Sequence, residues 1–349
     1  MKIRENSPVL HQARIDEQHP PLGERSKMRG VPDHPHPSLP PSRGKGSSGP
    51  TRRINCGKTP VLVLILGFVI LGLSLVSLAQ ERRFANVAAL LEIGVGARPL
   101  GMGGAFVGLA DDENALFYNP AALAFLDHVG VTSLYSRQFQ VLDYGVIGIA
   151  GRFAGLSLLQ LYSGGIEGMN KFGNPDGTIF TYLNRAGIAS VGLAFGKIAL
   201  GTRFKFYQEL SGGESGIGWA IDPAVMIVRQ RLRLGALLKN GLSGAIKFDN
   251  GHAESWNQDL RLGGSLSLEI LNQVTLNLLF DLGGVLGQGL RGHLGAELWV
   301  RELGVRAGLD GGAITVGSSI WFKNLRADWA YAAHPRLPDT NRLSLTLRF

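Results

Sequence analysis

From His128 onward, apolar and polar side chains alternate with a period of two in short blocks. In 197–208, Arg203, Lys205 and Tyr207 fall on one face while Phe204 and Phe206 fall on the other. In 258–269, Leu260, Leu262, Leu266 and Leu268 share a face, and 273–281 and 302–310 repeat the pattern. The last block is the strictest: Leu343, Leu345, Leu347 and Phe349 alternate with Arg342, Ser344, Thr346 and Arg348. Successive side chains of a strand point to opposite faces, so each block reads as a strand with one greasy face and one polar face. A soluble sandwich would bury the greasy face against a second sheet. A transmembrane barrel would turn it to lipid and the polar face to a wet lumen.

The blocks fall near 128–137, 141–150, 153–163, 183–194, 197–208, 217–228, 230–239, 258–269, 273–281, 290–299, 302–310, 313–321, 324–332 and 341–349, which makes fourteen. Most have about ten residues, the length a tilted strand needs to cross the apolar layer of a bilayer. Tight turns at Gly151-Arg152, Gly196-Lys197, Arg229-Gln230, Leu271-Asn272, Val300-Arg301 and Lys323-Asn324 alternate with longer links at 164–182, 209–216, 241–257 and 333–340. Gly311-Gly312 is a short link on the long side. Short and long ends in alternation suit a barrel whose two ends face different compartments. Lipid offers no partner to an open sheet edge, so the strands must close. The expected fold is all-β: a closed antiparallel transmembrane β-barrel of fourteen strands with a short N-terminal plug or hatch. Asp222-Pro223 predicts a bulge or kink in its strand. Aromatics including Tyr135, Tyr144, Tyr162, Tyr207, Trp299, Trp321, Trp329 and Phe349 lie toward block ends, as interfacial girdles would.

Composition agrees with this pattern. The chain has 349 residues, 49 of them glycine, and only 18% are charged. Its mean hydropathy is just above zero. That is too polar for a helical membrane protein and too glycine-rich for an ordinary soluble α/β enzyme. The formal net charge of +8 sits mostly at the N-terminus: residues 1–58 hold eleven Lys/Arg against five Asp/Glu, the remainder 24 against 22. The body therefore carries no electrostatic footprint for nucleic acid. The single cysteine, Cys56, precedes the body, which excludes a disulfide framework there.

Residues 1–58 are rich in Pro, Ser, Gly, His and Arg without an apolar period, and read as a disordered leader. A start codon placed too far upstream would account for it. Residues 59–79 form an apolar run behind Arg52, Arg53 and Lys58, with small residues at Ser77 and Ala79. This is the pattern of a secretory signal cleaved between Ala79 and Gln80, although the run is also long enough for an N-terminal transmembrane helix. The expected domains are then a hatch at 80–127 and a barrel at 128–349.

Residues 80–127 do not alternate. The spacing of Gly94, Gly96 and Gly101 does not fit a dinucleotide fingerprint, and Pro99 interrupts it. Asp111, Asp112 and Glu113 lack the spacing of a calcium loop and suit a helix N-terminus. The run from Gly96 through Gly101, Met102, Gly103, Gly104, Ala105, Phe106 and Val107, then Ala110-Asp-Asp, then Tyr118-Asn-Pro-Ala-Ala-Leu, resembles the opening of the PorV/PorQ family, related to the FadL-type fatty-acid transporters. The end of the chain, 327–331 and 339–349, resembles that family's final hairpin. The resemblance implies a fourteen-stranded outer-membrane barrel with the N-terminal stretch folded inside it. Gly101, Gly103, Gly104, Asp111, Asp112, Asn119, Pro120 and Ala121 would belong to this hatch. Leu343, Leu345, Leu347 and Phe349 would close the barrel and signal its assembly, since bacterial outer-membrane proteins commonly end on an aromatic residue.

No catalytic or metal site is expected. The body histidines His128, His252, His293 and His334 are scattered, and no G-x-S-x-G elbow is present. His293 with Ser265 or Ser267 is the one pair a lumen hydrolase could use. No cofactor is implied. The expected partners are outer-membrane lipid, the barrel-assembly machinery, and either hydrophobic small molecules or secreted proteins. The function expected is a bacterial outer-membrane conduit for hydrophobic or amphipathic small molecules. The alternative is a non-transport scaffold or shuttle that binds secreted proteins, as in type IX secretion.

Overall fold

The structure, a computed structural model, describes residues 88–286, 289–333 and 338–349. The leader 1–58, the apolar run 59–79 and the first residues of the hatch lie outside these residues. Sixteen strands follow one another: β1 (Gly130–Gln138), β2 (Leu142–Gly151), β3 (Ala154–Met169), β4 (Pro175–Phe195), β5 (Ile198–Ser211), β6 (Glu214–Arg229), β7 (Leu232–Lys239), β8 (Leu242–Phe248), β9 (Ala253–Glu254), β10 (Asp259–Leu271), β11 (Val274–Gly283), β12 (Arg291–Val300), β13 (Leu303–Asp310), β14 (Ala313–Phe322), β15 (Leu325–Ala332) and β16 (Thr340–Arg348). Each wall strand pairs antiparallel with its chain neighbours, and β16 returns to β1. Strands β8 and β9 form a small hairpin set against β6 in the link between β7 and β10. Without that hairpin the wall is a closed ring of fourteen strands, as the alternation predicts.

At the seam, Gly130 faces Arg348 and Ser136 faces Arg342, and the hydroxyls of Thr132 and Thr346 meet inside at 3.1 Å. Leu343 and Leu345 are exposed on the outer face, while Ser344 and Thr346 are buried in the lumen. The same parity runs round the wall: Ile147, Leu156, Leu158, Val191, Leu200, Val305 and Ile320 all point outward and are exposed. An apolar exterior of this kind is stable only in lipid, so the ring is a membrane-spanning barrel.

Three features differ from the sequence expectation. First, much of 164–182 and 209–216 is strand rather than link. Strands β3 to β6 continue past the apolar belt and turn at 170–174 and at Gly212-Gly213. The 21 residues of β4 extend roughly 70 Å along the strand, against roughly 26 Å for the eight of β7. Outside lipid no apolar alternation is needed, and the backbone ladder continues through this part of the wall. Second, no register shift occurs between β5 and β6 at Asp222-Pro223. Instead β6 changes its partner there, from β7 at 224–229 to β8 at 216–221. A residue without an N–H is suited to the gap between two partners. Third, four of the girdle aromatics face inward. Tyr144 and Tyr207 are fully buried, Trp299 lies beside Arg98 and Arg306, and Trp321 beside Arg326 and Arg348. Parity within the strand, not position near its end, decides which face an aromatic takes.

Candidate functional site

The interior is filled by residues 88–127, which run through the lumen as short helical turns, Ala89–Glu92, Ala97–Gly101, Ala115–Tyr118 and Pro120–Phe125, joined by irregular chain. Backbone of this kind has unpaired N–H and C=O groups, and inward side chains of the wall supply the partners. The Ala97 N–H donates to Ser344 Oγ (2.9 Å) and the Gly103 N–H to Thr315 Oγ1 (2.9 Å). One carboxylate oxygen of Asp281 accepts the N–H groups of both Phe106 (2.8 Å) and Val107 (2.9 Å). Arg233 donates to the Leu109 carbonyl at 3.0 Å, and Ser190 to that of Leu116 at 2.8 Å.

The strongest attachment is ionic. Arg98 puts Nε and Nη2 on the two carboxylate oxygens of Glu297 in β12, at 2.8 and 2.7 Å, and Nη1 on Asp111 (2.6 Å) and Asp112 (2.9 Å). Asp112 also accepts from Arg326 (2.9 Å), which in turn holds Asp328. Glu113 takes Arg348 at 2.6 Å and His128 at 3.0 Å, while Arg306 lies 3.4 Å from Glu297. Burial opposes charge on both Asp112 and Arg98, but the surrounding opposite charges outweigh it, lowering the Asp112 carboxyl and raising the Arg98 guanidinium. The acidic triplet therefore holds Arg98 of the hatch together with Arg326 and Arg348 of the wall, rather than starting a sizeable helix.

The hatch residues singled out in the sequence come to three places. Gly101, Gly103 and Gly104 form the turn under Thr315 and His293. Gly103 and Gly104 both have positive φ, and the Gly104 N–H returns to the Pro99 carbonyl. Asp111 and Asp112 join the arginine network. Asn119 caps the turn Pro120–Phe125 by accepting from the Ala121 N–H, and its amide spans the hatch and the wall by donating to the carbonyls of Val107 (3.0 Å) and Val225 (3.1 Å). Pro120 and Ala121 press on β4 and β5. His293 is engaged with the Gly103 carbonyl and Asp310, and Ser265 donates to the Gly108 carbonyl, so these two serve the hatch rather than each other. Arg98, Glu297, Arg306, Arg326 and Asp328 were not singled out. Inward parity marks the four wall residues as lumen-facing, and only the folded chain shows their pairing.

Glycines complete the contact. The wall and the hatch approach backbone to backbone where an inward wall position has no side chain. A Cβ added at Gly295 would sit 2.7 Å from the Met102 carbonyl oxygen, one at Gly263 2.6 Å from the Gly108 nitrogen, and one at Gly201 2.6 Å from the Ala121 Cα. Gly192, Gly235 and Gly308 are filled in the same way by Pro120, Val107 and Gly103.

Between the start of the hatch and the wall a cavity of about 70 Å³ remains. Leu91, Val95, Phe117, Leu159, Ile188 and Leu237 form its apolar side, and Arg203, Lys205, Lys239 and Arg261 its cationic side. Lys205 is 2.9 Å from Asp222, which also pairs with Arg203. The Nε of Arg261 is buried without a hydrogen-bond partner, the Asp259 carboxylate lying 3.8 Å away as an ion pair. Lys239 pairs with Glu92, and that ammonium overcomes the effect of burial to hold the Glu92 carboxyl at about 2.

The value for Glu92 is depressed below the ordinary 4.5, so the pair's contribution is complete above that value and fades as pH falls toward 2. Hydrogen exchange is expected to show residues 88–95 protected at neutral pH and opening below about pH 4. Residues 97–126, held by the Arg98 network, should open only at lower pH. The reverse order, or opening near pH 6, would contradict this assignment.

No known protein-family model matches the chain, and no curated protein sequence matches it. Solved structures do. The Pseudomonas putida toluene transporter TodX is 11% identical over 73% of this chain and 99% of that one, with a TM-score of 0.50. The Ralstonia pickettii toluene transporter TbuX is 13% identical over 73% and 98%, with a TM-score of 0.49. The likeness to TodX is one of fold.

Proposed function

We propose that this barrel is an outer-membrane conduit of the FadL type for small amphipathic molecules that join an apolar body to an acidic group. The resemblance of 96–123 and of the chain's end to the PorV/PorQ family supports the FadL-type reading, and the export pattern at 59–79 supports delivery to the outer membrane by a leader cleaved after Ala79. The observation that carries the proposal is the cavity: one side is apolar, and the other holds four cations, of which Arg261 has an unused donor. TodX is a transporter of toluene, a bare hydrocarbon. Arg203, Lys205 and Lys239 already hold carboxylates, and it is the Arg261 donor that favours a ligand bringing its own negative charge, because burying a donor without a hydrogen bond is costly and a carboxylate would satisfy it.

Size adds a condition. A cavity of about 150 Å³ accepts benzene, so a space of about 70 Å³ must widen to admit a ring. The segment 88–95 forms one side of the cavity and, in the described residues, is tied to the wall chiefly by Glu92 to Lys239 and by Tyr144 to the Gly94 carbonyl. It is the part that would yield.

Purified barrel should bind a short alkylbenzoate more tightly than toluene. Arg261→Gln should weaken the acid by about tenfold, the scale of one charge-assisted hydrogen bond, and leave toluene nearly unchanged. Equal loss for both ligands, or no binding of the acid by the unaltered barrel, would contradict the reading.

A further inference from the structure

On the outer face, away from the hatch, small residues open a trough in the wall. Along β4 the outward positions are Arg185, Gly187 and Ala189. Gly187 lies between Leu158 of β3 and Phe206 of β5, and Ala189 between Leu156 and Phe204. These four large neighbours are all exposed. A Cβ at Gly187 would meet only Leu158, at 3.9 Å, so the floor is open. The trough holds about 580 Å³ and continues past Gly187 and Phe206 into a second depression that reaches Gln160, Arg185 and Gln208.

At that end a polar row crosses three strands, Gln160 beside Arg185 beside Gln208. Arg185 donates from Nε to Gln160 at 3.1 Å. Among the described residues no carboxylate lies within ion-pair distance of its guanidinium. The floor from Ala189 to Arg185 spans roughly 13 Å of strand. An apolar trough that ends under a cation, on a wall bathed in lipid, has the order of a phosphate-bearing lipid: chain first, then anion.

We infer that this trough is a specific lipid site. One acyl chain lies over Gly187 and Ala189 between the leucine and phenylalanine pairs, and the phosphate of the same lipid rests on Arg185 with the two glutamine amides beside it. The occupant is a membrane lipid rather than a protein segment for two reasons. The strand backbone beneath is fully paired and offers no edge to add to. The outward positions that line the trough are also apolar up to the row of Gln160, Arg185 and Gln208, where the cation stands.

Native mass spectrometry of the delipidated full chain, after exposure to vesicles of mixed phosphatidylglycerol and phosphatidylcholine, tests this inference. One phosphatidylglycerol should be retained about fivefold in preference to phosphatidylcholine, the contribution of one cation near a membrane surface. Arg185→Gln should abolish the preference. Gly187→Phe should remove the bound lipid altogether, and Ala189→Leu should do so independently. Heat-modifiable gel migration will show that each variant is folded. Equal retention of both lipids by the unaltered protein, retention unchanged in the variants, or a second copy of the chain in place of lipid would overturn the inference.

Discussion

Replacing Arg98 by alanine should release the inner segment while leaving the barrel wall standing. The guanidinium is the hub of the interior: it bridges Glu297 of the wall to Asp111 and Asp112 of the hatch, and all three contacts are shorter than 3 Å. Its removal strands Glu297 and Asp112, whose side chains are fully buried, and losing one partner of a buried pair typically costs about 3–5 kcal/mol. Among the described residues Glu297 would keep Arg306 and the Asn277 amide, and Asp112 would keep Arg326. The ladder hydrogen bonds of the wall do not involve Arg98, so the wall should persist. The expected result is heat-modifiable migration as for the unaltered protein, with new protease cleavage in 97–126 and a measurable conductance in planar bilayers where the unaltered barrel has little. Arg98→Lys keeps the charge but loses the two-pronged contact, and should fall between the two. Adding Glu297→Gln to Arg98→Ala should recover part of the loss, because the worst-placed carboxylate is then neutral. An intact, protected hatch in Arg98→Ala would show that the network is dispensable.

The second large effect is expected from a side chain placed where none can fit. Gly295→Leu drives a branched group into the Met102 backbone, and Gly201→Leu does the same against Ala121 on another part of the wall. Neither obstacle is the flexible end of a side chain, so the hatch must leave or the wall must bend. Overpacking of this kind usually costs about 1–3 kcal/mol, and more when the obstacle is backbone. Both variants should lose hatch protection, as Arg98→Ala does, although their chemistry is unrelated. Gly145→Ala is the matched control: it faces outward, a Cβ there would meet nothing within 4 Å, and stability should hardly change. If Gly145→Ala and Gly295→Leu behave alike in protease protection and thermal unfolding, the close approach of backbones is not what holds the hatch.

The barrel was legible in the sequence because lipid on one side and a polar lumen on the other impose the same parity on every strand. Leu343 and Leu345 outside, and Ser344 and Thr346 inside, follow from that rule alone. The tall part of β3 to β6 was not legible, because strands beyond the apolar layer are under no such rule and their glycines and polar residues read as links. Pro223 announced an irregularity, but its meaning depends on β8, which arrives from another part of the chain. The interior was half legible. Parity places Glu297, Arg306, Arg326 and Asp328 toward the lumen, yet nothing local tells Arg98 that its partner is Glu297, 199 residues away. The glycines were visible as an excess, and only the hatch backbone lying against them explains why many of them face inward.

The seam between β1 and β16 has a consequence in time. Thr132 and Thr346 meet across it although 214 residues separate them. Synthesis therefore delivers the hatch first and the closing strand last, and bringing such distant ends together carries a loop-closure cost that slows folding. A ring that closed empty would have to be threaded afterwards through its own mouth. A wall laid down strand by strand around an inner segment already present meets no such obstacle, and the arginines of β15 and β16 would find Asp112 and Glu113 waiting for them. The content of this barrel can thus serve as the form on which the barrel is built.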